Sequence, residues 1–435
     1  MISSFLHMSK KNISLKGAIS IGVGGMVGGG IFAVLGLAIS LAKGATPVAF
    51  SIAGIIAVVT AYSYSKLSIA FPDSGGTVKF INQGFGKNTF SGGLNNLLWI
   101  SYIIMLALYA SAFGSYAPNL LALTGDPSVD SHIYTSGVVI LGTAINYFSA
   151  SMVSRIESYA VILKVFILLG FIAVGIYGLH GSEHIAQLNP KNWEGTFQIV
   201  TGGMVIFVAY EGFELIANSV SDLKNPEKNI PRAYFVSVLS VVLLYSTIAV
   251  IAVGSLSFEE IKNAQDYVLS EVARPSLGQA GFTIMTIAAL ISTFSAINAT
   301  LYGGSRVSYR VAQEDELPHE FTARLWDHPI GLLVIAVATL LLANLADLES
   351  ISTSGSAGFL LLFTCVNYVA FKKRKKIKSS ATYSLLGTCL CAIAFVMLMV
   401  QQSHSNLTGV LIISGLIATC FLLEYLYKRF GIENG

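Results

Sequence analysis

Apolar residues run along this chain in about twelve long stretches joined by short polar connections. They fall at 15–41, 47–70, 90–123, 134–150, 159–179, 197–219, 233–253, 280–311, 330–345, 352–371, 383–400 and 410–427. Most approach or exceed the roughly 20 residues that a helix needs to cross a bilayer. The chain reads as an all-α polytopic membrane protein with about twelve transmembrane helices. Between spans seven and eight, 258–274 reads as an amphipathic segment on the outer surface. No long polar segment between the spans would form a separate soluble domain.

Two spans break the pattern. The first contains Gly24-Gly25-Met26-Val27-Gly28-Gly29-Gly30-Ile31-Phe32. Glycine costs about 1 kcal/mol per residue against alanine in a helix, so this run predicts a discontinuous helix. Non-helical backbone at membrane depth is tolerated only inside protein or against a cavity. The sixth span carries the second interruption, Phe207-Val208-Ala209-Tyr210-Glu211-Gly212-Phe213-Glu214. One broken span therefore opens each group of five, and an odd group size makes the two groups enter the membrane from opposite sides. That is the pattern of inverted repeats with a binding site at the midplane. It favours a secondary transporter, with domains at 15–180 (spans one to five) and 196–372 (spans six to ten). Residues 383–427 form a two-helix scaffold, and 1–14 and 428–435 are tails.

Composition supports the membrane class: 54% of residues are hydrophobic and 11% charged, against about 25% charged in soluble domains. Of the 26 basic residues, the outer loops hold only Lys43, Lys191, Lys262 and Arg274, and Lys164 lies within a span. The others occupy inner loops and tails, which places both termini in the cytoplasm and the chain in the cell membrane. The run Lys372-Lys373-Arg374-Lys375-Lys376 reads as a topology-setting loop near anionic lipid, and a net charge of +3 gives no case for nucleic acid. Cys365, Cys389, Cys391 and Cys420 lie in apolar spans and read as small buried hydrophobes. No Cys/His spacing implies a metal, nothing calls for a cofactor, and no nucleophile–base pair implies an enzyme. The first span is too long for a signal-peptide core and lacks a cleavage site.

Ionisable residues at membrane depth are Lys164, Glu211 and Glu214, and such residues are functional candidates because their burial is costly. Lys164 either snorkels to the inner interface or exchanges a proton near the first break as hydration changes. Glu214 either titrates or makes a static polar bond. Glu211 either points into the cavity, favouring a cationic solute, or bonds to nearby spans. The first break offers N–H groups at Gly29, Gly30 and Ile31 to an anion. The carbonyls near Val208, Ala209 and Glu211 suit an ammonium. A solute carrying carboxylate and amine on one carbon satisfies both. Close helix packing is the other reading of Gly28-Gly29-Gly30. Trp99, Tyr102, Tyr109 and Tyr116 read as packing residues, with Tyr102 and Tyr109 also candidates to line a cavity.

Gly28-Gly29-Gly30-Ile31-Phe32 resembles the G-x-G-I-F motif of the amino acid–polyamine–organocation superfamily. Ala209-Tyr210-Glu211-Gly212-Phe213-Glu214 resembles its span-six motif. Asn225-Pro226-Glu227-Lys228-Asn229-Ile230-Pro231-Arg232-Ala233 is similar to its loop signature. Ser74-Gly75-Gly76, Phe85-Gly86, Asn298-Ala299-Thr300, Gly303-Gly304 and Glu316-Leu317-Pro318 fit the same family in order, and Lys164 is similar to a lysine of its proton-coupled amino acid permeases. The resemblance implies the five-plus-five inverted repeat of the leucine transporter with two further helices. It implies that the Gly29 and Gly30 amides hold a substrate carboxylate, and that carbonyls at Met26, Val208, Ala209 and Glu211 hold its amine. Lys164 then stands where sodium-coupled relatives bind an ion, near Ser292, Thr293 or Ser295. The implied function is proton-coupled amino acid symport by alternating access, with an amino acid or polyamine exchanger as the alternative and a nutrient receptor ranked lower. Two departures stand out: Gly29 replaces the usual Ser, Thr or Ala, and Ser221 replaces a common acidic residue before Asp222.

Overall fold

Capping side chains and glycines set most helix ends. In the computed structural model, which describes residues 13–73, 75–148, 150–313, 316, 324–325 and 328–430, Ser14 accepts the Gly17 amide and opens α1, Leu15–Met26. Lys10, Lys11, Ser74, Leu317 and Pro318 lie outside the described residues. Glycines 28 and 29 separate α1 from α2, Gly30–Ala42. Helix α3, Thr46–Ala70, starts on Pro47, and the short α4, Gly76–Phe85, follows it. Asn88 and Ser91 form a reciprocal cap at the start of α5, Thr89–Tyr116, the arrangement that satisfies the first free amides of a helix. Then come α6, Pro127–Phe148, and α7, Ala150–Leu179. Helix α8, Thr196–Val205, runs into two 3₁₀ segments, Phe207–Tyr210 and Phe213–Asp222.

The second half continues with α9, Pro226–Ser255, and α10, Phe258–Asn263, then α11, Val268–Gln313, kinked at Gly278. A two-residue pairing of Arg324–Leu325 with His328–Pro329 precedes α12, Ile330–Leu345. The chain then forms α13, Leu348–Lys372, α14, Arg374–Ile377, α15, Ala381–Ser405, and α16, Leu407–Phe430. Helix α3 lies along α9, α5 along α11, and α13 against both α5 and α15. Tyr64 centres an aromatic cluster, its ring 5.5 Å from Phe213, 5.6 Å from Phe363 and 5.8 Å from Phe80. Ile162, Phe166 and Leu169 of α7, Ile393 and Val396 of α15, and Leu411 and Leu422 of α16 stay exposed. An apolar exterior of this extent around a core that buries serines, asparagines and glutamates suits a lipid solvent rather than water. This is a multi-pass membrane protein.

Among the described residues, eight helices are long and apolar enough to cross a membrane, and two bent pairs raise the number to ten. The bend is 45° between α1 and α2, and 50° between α8 and the 3₁₀ segments. These are the two spans that the glycine pattern marks as broken. Helix α12 is apolar but only 16 residues long, and α6 carries polar residues in its first turns, so twelve crossings are not reached by length and apolarity alone. The apolar pattern predicts that span three reaches residue 123. Helix α5 instead ends at Tyr116 in a 3₁₀ turn, Ala117–Asn119, because Pro118 has no N–H to extend the ladder. Glu424 of α16 is a further ionisable residue, fully buried, with Lys428 2.8 Å away. Cys389 is exposed on α15, while the other three cysteines are buried.

Loop charges sort to the two ends. Asp73 joins Arg310 at 3.2 Å and Lys79 at 3.6 Å, and Lys372 donates to the Gly84 carbonyl at 2.8 Å. At the other end Lys43 pairs its backbone with Trp193 and lays its ammonium 5.5 Å from the Phe258 ring centre.

Candidate functional site

The two breaks lie directly against each other. A Cβ at Gly25 would stand 2.8 Å from the Gly212 carbonyl oxygen, and a Cβ at Gly30 would stand 2.9 Å from Ala209 Cα. Both distances are shorter than real Cβ contacts, so glycine is what permits the approach. Gly212 itself has φ 116°, a left-handed conformation that disfavours any side chain. A backbone exchange closes the base of the pair: Ile13 donates to Asp222 at 3.0 Å and Lys224 donates to Ile13 at 2.9 Å. The close-packing and broken-helix readings of the glycine run therefore both hold, at neighbouring residues.

Around the first break, the Gly28 amide turns back to Gly25 at 3.3 Å. Neither the Gly29 nor the Gly30 amide has an acceptor among the described residues. Ile31 differs from them. The Tyr245 hydroxyl of α9 donates to the Met26 carbonyl at 2.7 Å and sits within hydrogen-bonding reach of the Ile31 amide. One phenol thus spans the gap between the end of α1 and the start of α2. Of the groups expected at this break, Gly29 and Gly30 are open, and Met26 and Ile31 are engaged.

In the second break, Val208 accepts from the Glu211 amide at 3.1 Å. The carbonyls of Ala209 and Glu211 accept no bond among the described residues. Two serines one turn apart on α13 hold the segment. Ser352 and Ser356 donate to the Val205 carbonyl at 2.9 and 2.8 Å, and Ser356 accepts the Val208 amide at 2.9 Å. These bonds replace those that the interrupted helix loses, as buried backbone requires. Glu211 and Glu214 are both buried, their side chains contact one another, and Glu214 accepts the Gly212 amide at 2.7 Å.

Lys164 of α7 is fully buried, and its ammonium donates to the Gly24 carbonyl of α1 at 3.0 Å. Snorkelling to the interface is thereby overturned: the side chain turns inward to the first broken span. Helix α11 approaches the same span, since a Cβ at Gly28 would stand 2.6 Å from Ala296 Cβ. On that helix Ser292 and Ser295 are buried with hydroxyls that lack a partner among the described residues. Thr293 bonds back to Ala289 at 2.7 Å, which ties its hydroxyl to its own helix. Glu214 turns toward Gly212 and Glu211.

A cavity of about 530 Å³ opens beside the second half of the sixth span, lined by Ile21, Leu215, Asn218, Tyr302, Arg306 and Arg310 among others. It lies at the end of the bundle that holds the Asp73–Arg310 pair. Tyr102 of α5 lies close to the Asn218 side chain on this cavity's wall. Among the described residues no group of three or more His, Cys, Asp or Glu side chains is placed to hold a metal ion.

Residues 13–422 match the sequence pattern of the family described as amino acid permease. The chain belongs to the amino acid permease family. It is 33% identical to an uncharacterised protein of Methanocaldococcus jannaschii, over 98% of this chain and 97% of that one. It is 31% identical to the inner membrane transport protein YbaT of Escherichia coli, over 99% of both chains. It is also 27% identical to the branched-chain amino acid permease BcaP of Lactococcus lactis, over 84% of this chain and 83% of that one. Permeases move solutes rather than transform them, which agrees with a site built from backbone groups. Tyr245, Ser352 and Ser356 were not among the residues expected from the sequence. Each lies far along the chain from its partner, and the only local hint is the i, i+4 serine spacing in an apolar span.

Proposed function

We propose that this permease is a secondary active transporter that takes up an amino acid together with a proton, by alternating access. One observation carries the reading. Two open amides, Gly29 and Gly30, face a segment with two open carbonyls, Ala209 and Glu211. That donor and acceptor set is complementary to a carboxylate and an ammonium on one carbon. Met26, Ile31 and Val208 border the substrate and help to shape its site. The names of relatives such as the branched-chain permease support the amino acid class.

The proton is assigned to Lys164. As an ammonium it makes a charge-assisted bond to Gly24 and holds α1 against α7. Loss of the proton weakens that bond and frees α1 to move, so the lysine couples charge to the position of a broken helix. Ser292, Thr293 and Ser295 form the neighbouring wall of α11, with two hydroxyls available to bond a rearranged lysine. Glu214, packed on Glu211, is the second proton-holding group. Residues 15–180 and 196–372 act as the two inverted repeats and 383–427 as scaffold. The end bearing Lys79, Arg310 and Lys372 faces the cytoplasm of a cell whose plasma or inner membrane holds the protein, and the 530 Å³ cavity is the inner vestibule.

The test is amino-acid-driven proton entry into liposomes containing the purified protein. Wild type acidifies the lumen when an amino acid is added outside, and Lys164→Ala takes up substrate without dependence on pH. Retained pH-dependent uptake in Lys164→Ala overturns the coupling role. Counterflow far exceeding net uptake assigns the protein to exchange instead.

A further inference from the structure

Helix α5 carries Asn95, Tyr102, Tyr109 and Tyr116 at intervals of seven, which puts all four on one face of the helix. Each of the three tyrosines meets a broken span. Tyr116 donates to the Phe32 carbonyl at 3.2 Å, and Tyr102 lies close to Asn218. Tyr109 stands between them with its ring against Gly29. A Cβ built on Gly29 would collide with Tyr109 Cδ1 and lie 3.0 Å from Cε1 and 3.1 Å from Cγ. Gly29 has φ −125° and ψ −11°, a conformation open to any residue. The ring therefore excludes a side chain at position 29; the backbone does not. The ring lies directly against the backbone of the first break at Gly29.

We propose that Tyr109 sets the upper size of the transported side chain, with Gly29 as its steric complement, and that the substrates are small amino acids. The inference rests on the reading above, that the amides of Gly29 and Gly30 hold the carboxylate. With the carboxylate on those amides and the amine on the Ala209 and Glu211 carbonyls, the solute's Cα lies beside the Tyr109 ring. Its side chain then competes with that ring for space. Glycine at position 29 is the accommodation that the ring demands. Selectivity by volume is steep when the wall is a buried aromatic, because close-packed neighbours yield little.

The experiment uses the full-length protein in liposomes, with labelled alanine uptake competed by glycine, serine, leucine and phenylalanine. In wild type, serine and glycine inhibit at concentrations about tenfold or more below those of leucine and phenylalanine, the scale of discrimination that one or two methylenes provide. In Tyr109→Ala that gap closes. Gly29→Ala alone weakens alanine uptake about tenfold or more, and adding Tyr109→Ala recovers most of the loss, which only a steric pair does. An unchanged competitor order in Tyr109→Ala, a wild type that prefers leucine and phenylalanine, or a double variant no better than Gly29→Ala overturns the proposal. If Tyr109→Ala does not elute as a single species, Tyr109→Leu is judged by the same order. Uptake of no amino acid by folded wild type is a different failure: it removes the amino acid reading itself.

Discussion

The two breaks solve the same problem with opposite materials. The break in the first span is made by absence: glycines let α2 start against Ala209, and one distant phenol, Tyr245, joins the severed ends. The break in the sixth span is made by addition: Ser352 and Ser356 bond its loose backbone, Gly212 takes the left-handed turn, and two buried carboxyls fill the bend. The result is a difference in polarity. The first break leaves amides open and the second leaves carbonyls open, because each falls at the opposite end of a half-helix. On the proposed reading, a helix start and a helix end placed face to face suit the two ends of a zwitterion.

If geometry at the junction is what matters, a side chain there should do the most damage. Gly212→Ala places a Cβ 2.5 Å from the Gly25 carbonyl carbon in a backbone conformation with φ 116°. Transport should fall about a hundredfold or more, as it does when a site is displaced by about an ångström. Gly170→Ala, whose Cβ meets nothing within 4 Å, should transport normally. Comparable uptake by the two variants would break the comparison.

The strut across the first break comes next. Tyr245→Phe leaves Met26 and Ile31 without the hydroxyl, a loss of about 1–2 kcal/mol. Substrate affinity should weaken by roughly five- to thirtyfold for every amino acid alike. A change confined to large or small substrates, read in a binding panel, would show that Tyr245 contacts the side chain instead.

Ser356→Ala tests the added material of the second break. It strips a partner from both the Val205 carbonyl and the Val208 amide. Stability should drop by about 1–3 kcal/mol, read as a lower melting temperature in detergent. Because Ser352 still bonds Val205, the double variant Ser352→Ala/Ser356→Ala should cost more than either single change.

The smallest effect lies away from both breaks. Glu260 caps α10 through the Ser257 hydroxyl and amide at 2.7 and 2.8 Å, and these bonds, ahead of the weaker pull of His184, hold its carboxyl below the usual range. A depressed folded-state value means that the cap is fully formed above the ordinary carboxylate range and fades as pH falls through the lowered one. Hydrogen-exchange protection in Phe258–Asn263, taken relative to the intrinsic rate at each pH, should fall at acidic pH in wild type. Glu260→Gln should show the lower protection already at neutral pH, with little effect on transport.

Much of the architecture is legible in the residues. Runs of Leu, Ile, Val and Phe mark the helices because hydrocarbon admits few other structures, and glycine density marks the breaks because no side chain there supports a straight helix. The end of α5 is not legible in the apolar pattern, since Leu120, Leu121 and Leu123 are apolar but follow Pro118 and stand 41–61% exposed at the surface. Glu424 was missed because one carboxylate near a span end looks like a loop residue until Lys428 and Asn96 are found beside it. Within the site, Gly29, Gly30, Ala209, Glu211 and Lys164 stand out by residue type and position. Their condition does not: Met26 and Val208 come from the same motifs, yet their carbonyls are already bonded.

What the chain alone determined is whatever depends on local composition: the membrane class, the spans, the two interruptions and the rarity of an interior lysine. Tertiary structure decided which backbone groups remain open, because each is closed or left free by a partner from another helix. Tyr245 comes from α9, Ser352 and Ser356 from α13, and Tyr109 from α5. The run from Gly24 to Phe32 specifies that the helix breaks. Packing against those three helices leaves two amides of that break open, and the reason is geometric: hydrogen bonds act over about 3 Å, and sequence distance says nothing about which atoms come that close.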